Sequence, residues 1–263
     1  MRALTSQEEK KVLLGILIYF DKLCRKHGLN YTLHSGTLLG AARHKGFIPW
    51  DDDVDVAMPL PDYLRFLQLD ELHDNKGRYI LHEARFEQLN HENYHYPYAK
   101  LEDRTTFVKY SNTFDKIGVF IDIFPLTGYP NDQEQLVRLA SEMQKLRWKV
   151  FVGVTKYKNP FKKIISSIIS KRYKYYRDRM IAEAFSVNFT KAEYIGNIFW
   201  ASENDSQKMP SYYLKSYIQL EFEGKKFKVV SNYKKVLDIL YGDWESIPPK
   251  EKQVTHSMKT FKK

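Results

Sequence analysis

The stretch Gly36 to Met58, GTLLGAARHKGFIPWDDDVDVAM, constrains this chain more than any other. Four aspartates, Asp51, Asp52, Asp53 and Asp55, fall within five positions. Alternate side chains of a strand share a face. Asp53 and Asp55 therefore point one way while Val54 and Val56 enter a core. Two neighbouring carboxylates repel, and one takes up a proton unless a cation lies between them. The simplest such cation is a hard divalent metal that prefers oxygen ligands, such as magnesium. Magnesium on paired aspartates is a common apparatus for chemistry at phosphorus. Two plainer readings compete. A solvated acidic loop suits Asp51 and Asp52 in the turn Pro49-Trp50-Asp51-Asp52. It does not suit Asp55, which interrupts the apolar series Val54, Val56, Met58. A calcium loop of the EF-hand kind needs further oxygen ligands and a closing glutamate, whereas this chain runs into Ala57-Met58-Pro59.

Upstream, Tyr31-Thr32-Leu33-His34 reads as a short strand and Leu38 to Arg43 as a helix, with Ser35-Gly36-Thr37 between them. A small-residue turn of this kind exposes N–H groups at a helix N-terminus, a geometry that holds phosphate. Followed by an Asp-x-Asp strand, it is the signature of the nucleotidyltransferase fold. That fold draws a third carboxylate from a later strand. Val119-Phe120-Ile121-Asp122-Ile123-Phe124 supplies one charge in a β-prone apolar run. A buried carboxylate without a partner is expensive. Asp122 therefore needs either a metal shared with Asp53 and Asp55 or a structural salt bridge. Arg43, His44 and Lys45 lie between the two motifs, either as contacts to a pyrophosphate or as exposed loop cations. His34 reads as a turn or packing residue in preference to a general base.

These residues carry a resemblance. GTLLGAARHKGFIPWDDDVDVAMP resembles the defining motif of the LicD family of phosphocholine transferases, and GVFIDIFPL at Gly118 to Leu126 resembles its second block. Tyr98-Ala99-Lys100-Leu101 with Thr105-Thr106 resembles a block between them, and Tyr241-Gly242-Asp243-Trp244 with Pro248-Pro249 resembles the C-terminal segment. The resemblance runs from about Tyr31 to Pro249 and is weakest between about Gln133 and Ala192. It implies transfer of phosphocholine from CDP-choline to a sugar hydroxyl of a cell-surface glycan precursor, of teichoic acid or lipopolysaccharide type, or of its lipid-linked form. Carried over to this chain, it implies that Asp53, Asp55 and Asp122 are catalytic and bind metal. The ion would be Mg2+, one or two in number, with Mn2+ as a substitute. Ser35, Gly36 and Thr37 would approach the donor phosphates, Lys100 would be a candidate substrate contact, and Arg43 and Lys45 are the candidate contacts from the loop between the motifs. Fukutin-like relatives share the pattern but transfer ribitol phosphate. That donor, and a nucleotidylyltransferase attacking the α-phosphate, stay open as alternatives.

At 263 residues the chain can bury a full core. Its 43% hydrophobic and 15% aromatic content indicates a folded protein. The single cysteine, Cys24, cannot form an internal disulfide and suits a reducing cytoplasm. Val12 to Phe20, which follows Glu8-Glu9-Lys10-Lys11, is too short to span a bilayer and is expected as a buried helix face. The expected location is cytoplasmic, peripheral on the inner face of a membrane.

The net charge is +10, and most of it is local. Residues 141–190 hold twelve Lys or Arg against Glu142, Asp178 and Glu183. Within them Phe161, Ile164, Ile165, Ile168 and Ile169 recur at helical spacing beside Lys162-Lys163 and Lys171-Arg172, which predicts a basic amphipathic helix. It can be a core helix with a solvated basic face. It can lie on an anionic membrane surface through residues 156–179. The third option, nucleic acid, has no recognition motif behind it and is not expected as a partner.

The expected fold class is α+β: a nucleotidyltransferase-like mixed sheet flanked by helices, with a basic helical insertion and a small C-terminal α/β lobe. Residues 1–130 are read as the catalytic core with an N-terminal helix, 131–192 as the basic helical region and 193–263 as the lobe that completes the site. The first helix is expected to bury Leu13, Leu14, Leu17, Ile18 and Leu23. Pro59-Leu60-Pro61 should open a helix through Leu69. Gly224 should turn a hairpin between Tyr217 to Phe222 and Phe227 to Val230, ahead of a helix at Tyr233 to Leu240. The tail after Pro249 is expected to be mobile. A quaternary ammonium makes no hydrogen bonds, so a bound choline should lie on aromatic faces, drawn from Trp50, Trp200, Trp244 or Tyr94-His95-Tyr96-Pro97-Tyr98.

Overall fold

The computed structural model describes residues 2–74, 76–84, 94–109, 117–201, 207–253, 255 and 259–263. The chain opens with a short strand β1 (Arg2–Ala3) and helix α1 (Ser6–Lys26). Thr5 caps α1 reciprocally: its hydroxyl accepts the Glu8 N–H at 3.2 Å, and the Glu8 carboxylate accepts the Thr5 N–H at 2.9 Å. The helix buries Leu13, Ile16, Leu17, Phe20, Leu23 and Cys24, a stripe at three- and four-residue spacing. Ile18 lies off that stripe and is exposed, so the expected apolar face is corrected by about a quarter turn toward Ile16 and Phe20.

The next elements are β2 (Thr32–Leu33), α2 (Ser35–His44), β3 (Asp55–Pro59), α3 (Leu60–Phe66), β4 (Tyr79–His82), β5 (Ala99–Asp103), β6 (Thr106–Lys109) and β7 (Val119–Gly128). Helix α2 starts at Ser35, so it takes in the small-residue turn. Helix α3 ends at Phe66, short of the expected Leu69, because Gln68 and Leu69 donate to Arg65 O and Phe66 O in a tightened last turn. The central sheet runs β2-β3-β7-β5-β4. Strands β3 and β7 are parallel; β2 on β3, and β5 and β4 beyond β7, are antiparallel. Strand β7 lies between β3 and β5 and packs on α1 and α3. A strand covered on both faces reads as a continuous apolar run. Every residue of β7 is buried except Asp122, which is half-buried.

Three helices follow, α4 (Gln133–Val154), α5 (Pro160–Ser170) and α6 (Tyr173–Ala184), and α4 packs against the other two. Strands β8 (Tyr194–Gly196) and β9 (Met209–Pro210) extend the C-terminal end of β7. Strands β10 (Tyr217–Phe222) and β11 (Lys225–Val230) form the expected hairpin. Its two loop residues, Glu223 and Gly224, both have positive φ, 51° and 69°, as a tight right-twisted hairpin requires. Helix α7 (Tyr233–Tyr241) then packs on α2. One buried cluster includes Leu13, Val56, Ile123, Phe222, Leu237 and Trp244. The result is the α+β fold with a mixed, nucleotidyltransferase-like sheet.

Two expectations are overturned. The tail does not stay loose: β12 (Lys259–Lys262) pairs between β1 and β6, buries Thr260, and is followed by a bond from Lys263 N–H to Thr105 O at 2.9 Å. Helix α5 is not a core helix with a wet basic face. Its buried residue is Ser166, and Phe161, Ile164, Ile165 and Ile168 are exposed. Among the described residues no helix is long and apolar enough to cross a membrane.

Glu9 of α1 is buried, and among the described residues its Oε1 has no hydrogen-bond partner. Burial, and then the charge of Asp52, push its carboxyl up to about 7. A raised acid favours the fold below about pH 4.5, and that contribution is lost as pH rises toward 7. Glu9→Gln removes the buried charge. It should stabilise the protein by about 3 kcal/mol at pH 8 and leave stability unchanged near pH 4. Urea melts of the two proteins at both pH values check this.

Candidate active site

The pairing of β3 with β7 sets Asp55 directly beside Asp122. Val54 and Val56 are buried, while Asp53 and Asp55 are half-buried on the other side of the chain. The alternation expected from the sequence holds, although the strand itself begins only at Asp55. Backbone bonds lock this register. Asp122 N–H donates to Val54 O at 2.9 Å, and His34 N–H donates to Asp55 O at 3.0 Å. The Asp55 N–H donates to the Thr37 hydroxyl at 2.8 Å. Thr37 is buried, so its side chain is spent on holding the acidic strand against α2.

Burial pushes the Asp55 carboxyl well above the usual carboxylate range, and the charges of Asp53, Asp122 and Asp51 add to the effect, with Lys100 opposing it. Lys100 sits on β5 in register with Asp122. Its ammonium donates to Asp122 Oδ1, and the residue is only 2% exposed. The same ammonium lies 4.1, 5.3 and 3.7 Å from the ring centres of Tyr96, Tyr98 and Phe120. Ring faces attract cations, so the three rings and Asp122 together hold a charge that burial alone would disfavour. The structure gives Asp122 this salt bridge as a partner. Among the described residues, no set of three or more His, Cys, Asp or Glu side chains meets the geometry of a metal site. The chemistry of the cluster nevertheless fits a hard cation. Its donors are carboxylate oxygens, and the raised Asp55 carboxyl marks a surplus of negative charge that a divalent ion would relieve.

The N-terminus of α2 faces the same acidic residues. Ser35 adopts φ 45°, a left-handed conformation that costs a non-glycine residue about 1–2 kcal/mol and that structures retain mainly at functional turns. Gly36 lies against Asp51: a Cβ at this position would sit 2.5 Å from Asp51 Oδ2. The first N–H groups of a helix lack intrahelical acceptors, so Ser35, Gly36 and Thr37 form an anion-attracting end with an aspartate at its edge. His34 caps α2 through its backbone. Burial lowers its imidazole to about 4, which keeps it neutral and suits the packing role expected of it.

The Arg43 side chain is employed structurally, and Lys45 is so through its backbone. The Arg43 guanidinium donates to Trp244 O at 2.7 Å and to Ser246 O at 2.9 Å, tying the segment after α7 to α2. Lys45 is the left-handed C-cap of α2, and its carbonyl accepts the Glu223 N–H at 2.9 Å. The clamp brings in a residue that sequence reasoning did not assign to the site. Tyr241 ends α7 and is 44% exposed. Burial raises the phenol above its usual range, and the charges of Asp55, Asp51 and Asp53 raise it further, so the side chain lies within electrostatic reach of the acids. Its membership of the Tyr-Gly-Asp segment was the available signal.

Comparison with known proteins agrees with this architecture. The family model described as LicD/FKTN/FKRP, nucleotidyltransferase domain, matches residues 28–152. The chain is 32% identical over 269 residues to the lipopolysaccharide cholinephosphotransferase LicD of Haemophilus influenzae, with 97% of each chain covered. It is 42% identical over 62 residues to the ribitol 5-phosphate transferase FKRP of Homo sapiens, a match covering 24% of this chain and 11% of that one.

The Lys100–Asp122 pair is open to a direct test. Removing one member of a buried pair costs about 3–5 kcal/mol, whereas a neutral replacement of both is far milder. Lys100→Met should destabilise the protein by about 3 kcal/mol. The double variant Lys100→Met with Asp122→Asn should recover most of that loss in a thermal-melt cycle.

Proposed function

The chain belongs to the LicD family of phosphotransferases, and from that premise we propose that it moves phosphocholine from CDP-choline to a sugar hydroxyl of a cell-surface glycan precursor, of lipopolysaccharide or teichoic acid type, releasing CMP. The observation that carries this reading is Asp55 set beside Asp122 next to the open end of α2, in a chain that aligns over nearly its whole length with a cholinephosphotransferase.

The residues divide the work. The N–H groups of Ser35, Gly36 and Thr37 receive donor phosphate oxygens, and a helix N-terminus stabilises that charge. The acceptor hydroxyl attacks the choline-bearing phosphorus in line with the bond to CMP. The new O–P bond forms as the bond to CMP breaks, and Asp122 takes the hydroxyl proton. Lys100, locked by three rings, keeps Asp122 in place for that transfer. Asp53 and Asp55, with Asp122, would hold Mg2+, one or two ions, or Mn2+ in its place. Such an ion supplies positive charge to the diphosphate and the leaving oxygens.

The choline is assigned to Tyr241. Most of the other aromatic candidates are committed elsewhere: Trp50 is packed edge-on against His44, and the Tyr94 hydroxyl donates to Tyr98 O. Tyr96 and Tyr98 face Lys100, Trp244 is buried with Nε1 donating to Asp238, and Trp200 stacks on Phe151 beneath Arg147. A partly exposed ring within electrostatic reach of three carboxylates suits a quaternary ammonium. Tyr241→Ala should raise KM for CDP-choline about tenfold with a smaller change in kcat, whereas Tyr241→Phe should stay near the native value.

The FKRP match favours one further donor class, a CDP-linked alditol phosphate such as ribitol phosphate. Mass spectrometry of products from CDP-choline, CDP-ribitol and CTP with a panel of glycan acceptors separates the readings. Phosphocholine on the sugar with free CMP is the expected result. Transfer from CDP-ribitol alone replaces the donor, and pyrophosphate release means nucleotidyl transfer. Asp53→Ala and Asp122→Ala should each lower turnover by at least about 1,000-fold, Asp122→Ala also melting earlier because it leaves Lys100 unpaired, and near-native turnover in either would defeat the mechanism.

A further inference from the structure

Helix α5 shows water an apolar face that the fold does not cover. Phe161 is 76% exposed, Ile164 60%, Ile165 49% and Ile168 66%. The orientation is set from the other side. Ser166 is buried, and its hydroxyl donates to Thr155 O at 3.2 Å. Ile169 packs toward Gly153 of α4, where a Cβ would lie 3.3 Å from its Cγ2. At about 100° per residue, the four exposed residues fall on the side turned away from Ser166. The helix is well specified without any partner. Asn159 caps it by accepting the Lys162 N–H at 3.2 Å, and Pro160 occupies its first turn.

The surroundings say what this face meets. Lys158, Lys162, Lys163, Lys171 and Arg172 are exposed around it. No Asp or Glu occurs between Glu142 and Asp178. At about 100° per residue, Lys162 and Lys163 fall about 40° and 60° to either side of Ser166, on the polar side of the helix. A second copy of this chain would bring like charge against like charge. A bilayer surface carrying anionic headgroups satisfies both parts of the face: the apolar side chains enter the acyl boundary, and the flanking cations meet phosphate. An eleven-residue helix is far too short to span the hydrocarbon, so it lies in the plane of the interface. We propose that α5 docks the protein on an anionic membrane surface through Phe161, Ile164, Ile165 and Ile168, with the exposed cations around the helix meeting the headgroups.

The test uses the full chain and needs no transferase activity, so it stands apart from the choice of donor. Co-sedimentation is measured with vesicles of equimolar phosphatidylglycerol and phosphatidylcholine, and with phosphatidylcholine alone. Partitioning onto the anionic vesicles should exceed that onto neutral ones by about tenfold or more, and should weaken as salt rises from about 0.1 M to about 0.5 M. Ile164→Glu with Ile168→Glu should cut partitioning by at least about tenfold. Both residues are exposed, so circular dichroism and melting temperature should match the parent. Lys162→Glu with Lys163→Glu should remove most of the preference for anionic vesicles. Three results would overturn the proposal: no binding to anionic vesicles by the parent chain, equal binding by the Ile164→Glu/Ile168→Glu variant, or light scattering that shows a dimer which this variant converts to monomer with vesicle binding unchanged.

Discussion

Everything at the site hangs on one strand pairing, the parallel ladder between β3 and β7. It sets Asp55 beside Asp122, and antiparallel β5 on the other side of β7 sets Lys100 opposite the same aspartate. A slip of one residue would turn Asp122 into the core and an isoleucine into the site. Apolar residues on both sides of each acid forbid that slip, because Val54, Val56, Ile121 and Ile123 are fully buried. The hydrophobic pattern that builds the sheet is therefore also what aims the carboxylates.

The charge arrangement follows from that register. Negative charge gathers at the ends of β3 and of the loop before it, strongly enough to push the Asp55 carboxyl up. Positive charge is supplied in two fixed forms, the N-terminus of α2 and the caged ammonium of Lys100. The two act on different partners. Lys100 is immobilised against Asp122 by three rings, which gives it a positioning role. The α2 terminus stays directed toward the acidic residues, with Asp51 at its edge. A diphosphate arriving there enters a field of carboxylates, so a divalent cation arriving with it would relieve repulsion on both sides.

Much of this was legible in the residues, and what was not has a physical cause. The Asp-x-Asp strand, the small-residue turn, the single charge of β7 and the Glu223-Gly224 hairpin are all local patterns, and local patterns survive into structure. The partner of Asp122 was not legible, because Lys100 reaches it through strand pairing 22 residues away. Tyr241 was missed for the same reason: its place beside the acids depends on Arg43 holding carbonyls about 200 residues further along the chain. The first helix was read with Ile18 inward because its run of aliphatic residues is nearly continuous, and periodicity cannot choose a face where apolar residues surround the axis. The tail was expected to be mobile on composition, yet its alternating Lys259-Thr260-Phe261-Lys262 pairs with both β1 and β6, burying Thr260.

Helix α5 shows where sequence pattern and structure part most instructively. An amphipathic period says that a helix has an apolar side; it does not say that the protein owns the surface which covers it. Here the helix is anchored by its small polar edge, through Ser166 and the close approach at Gly153. The chain leaves four large side chains in water at a place where its cations are concentrated. A core helix would have reversed that arrangement, since burying the isoleucines against α4 would have freed the serines to face solvent. Seating serine inward leaves the apolar side for another surface to complete, and the surrounding lysines are why we propose an anionic one.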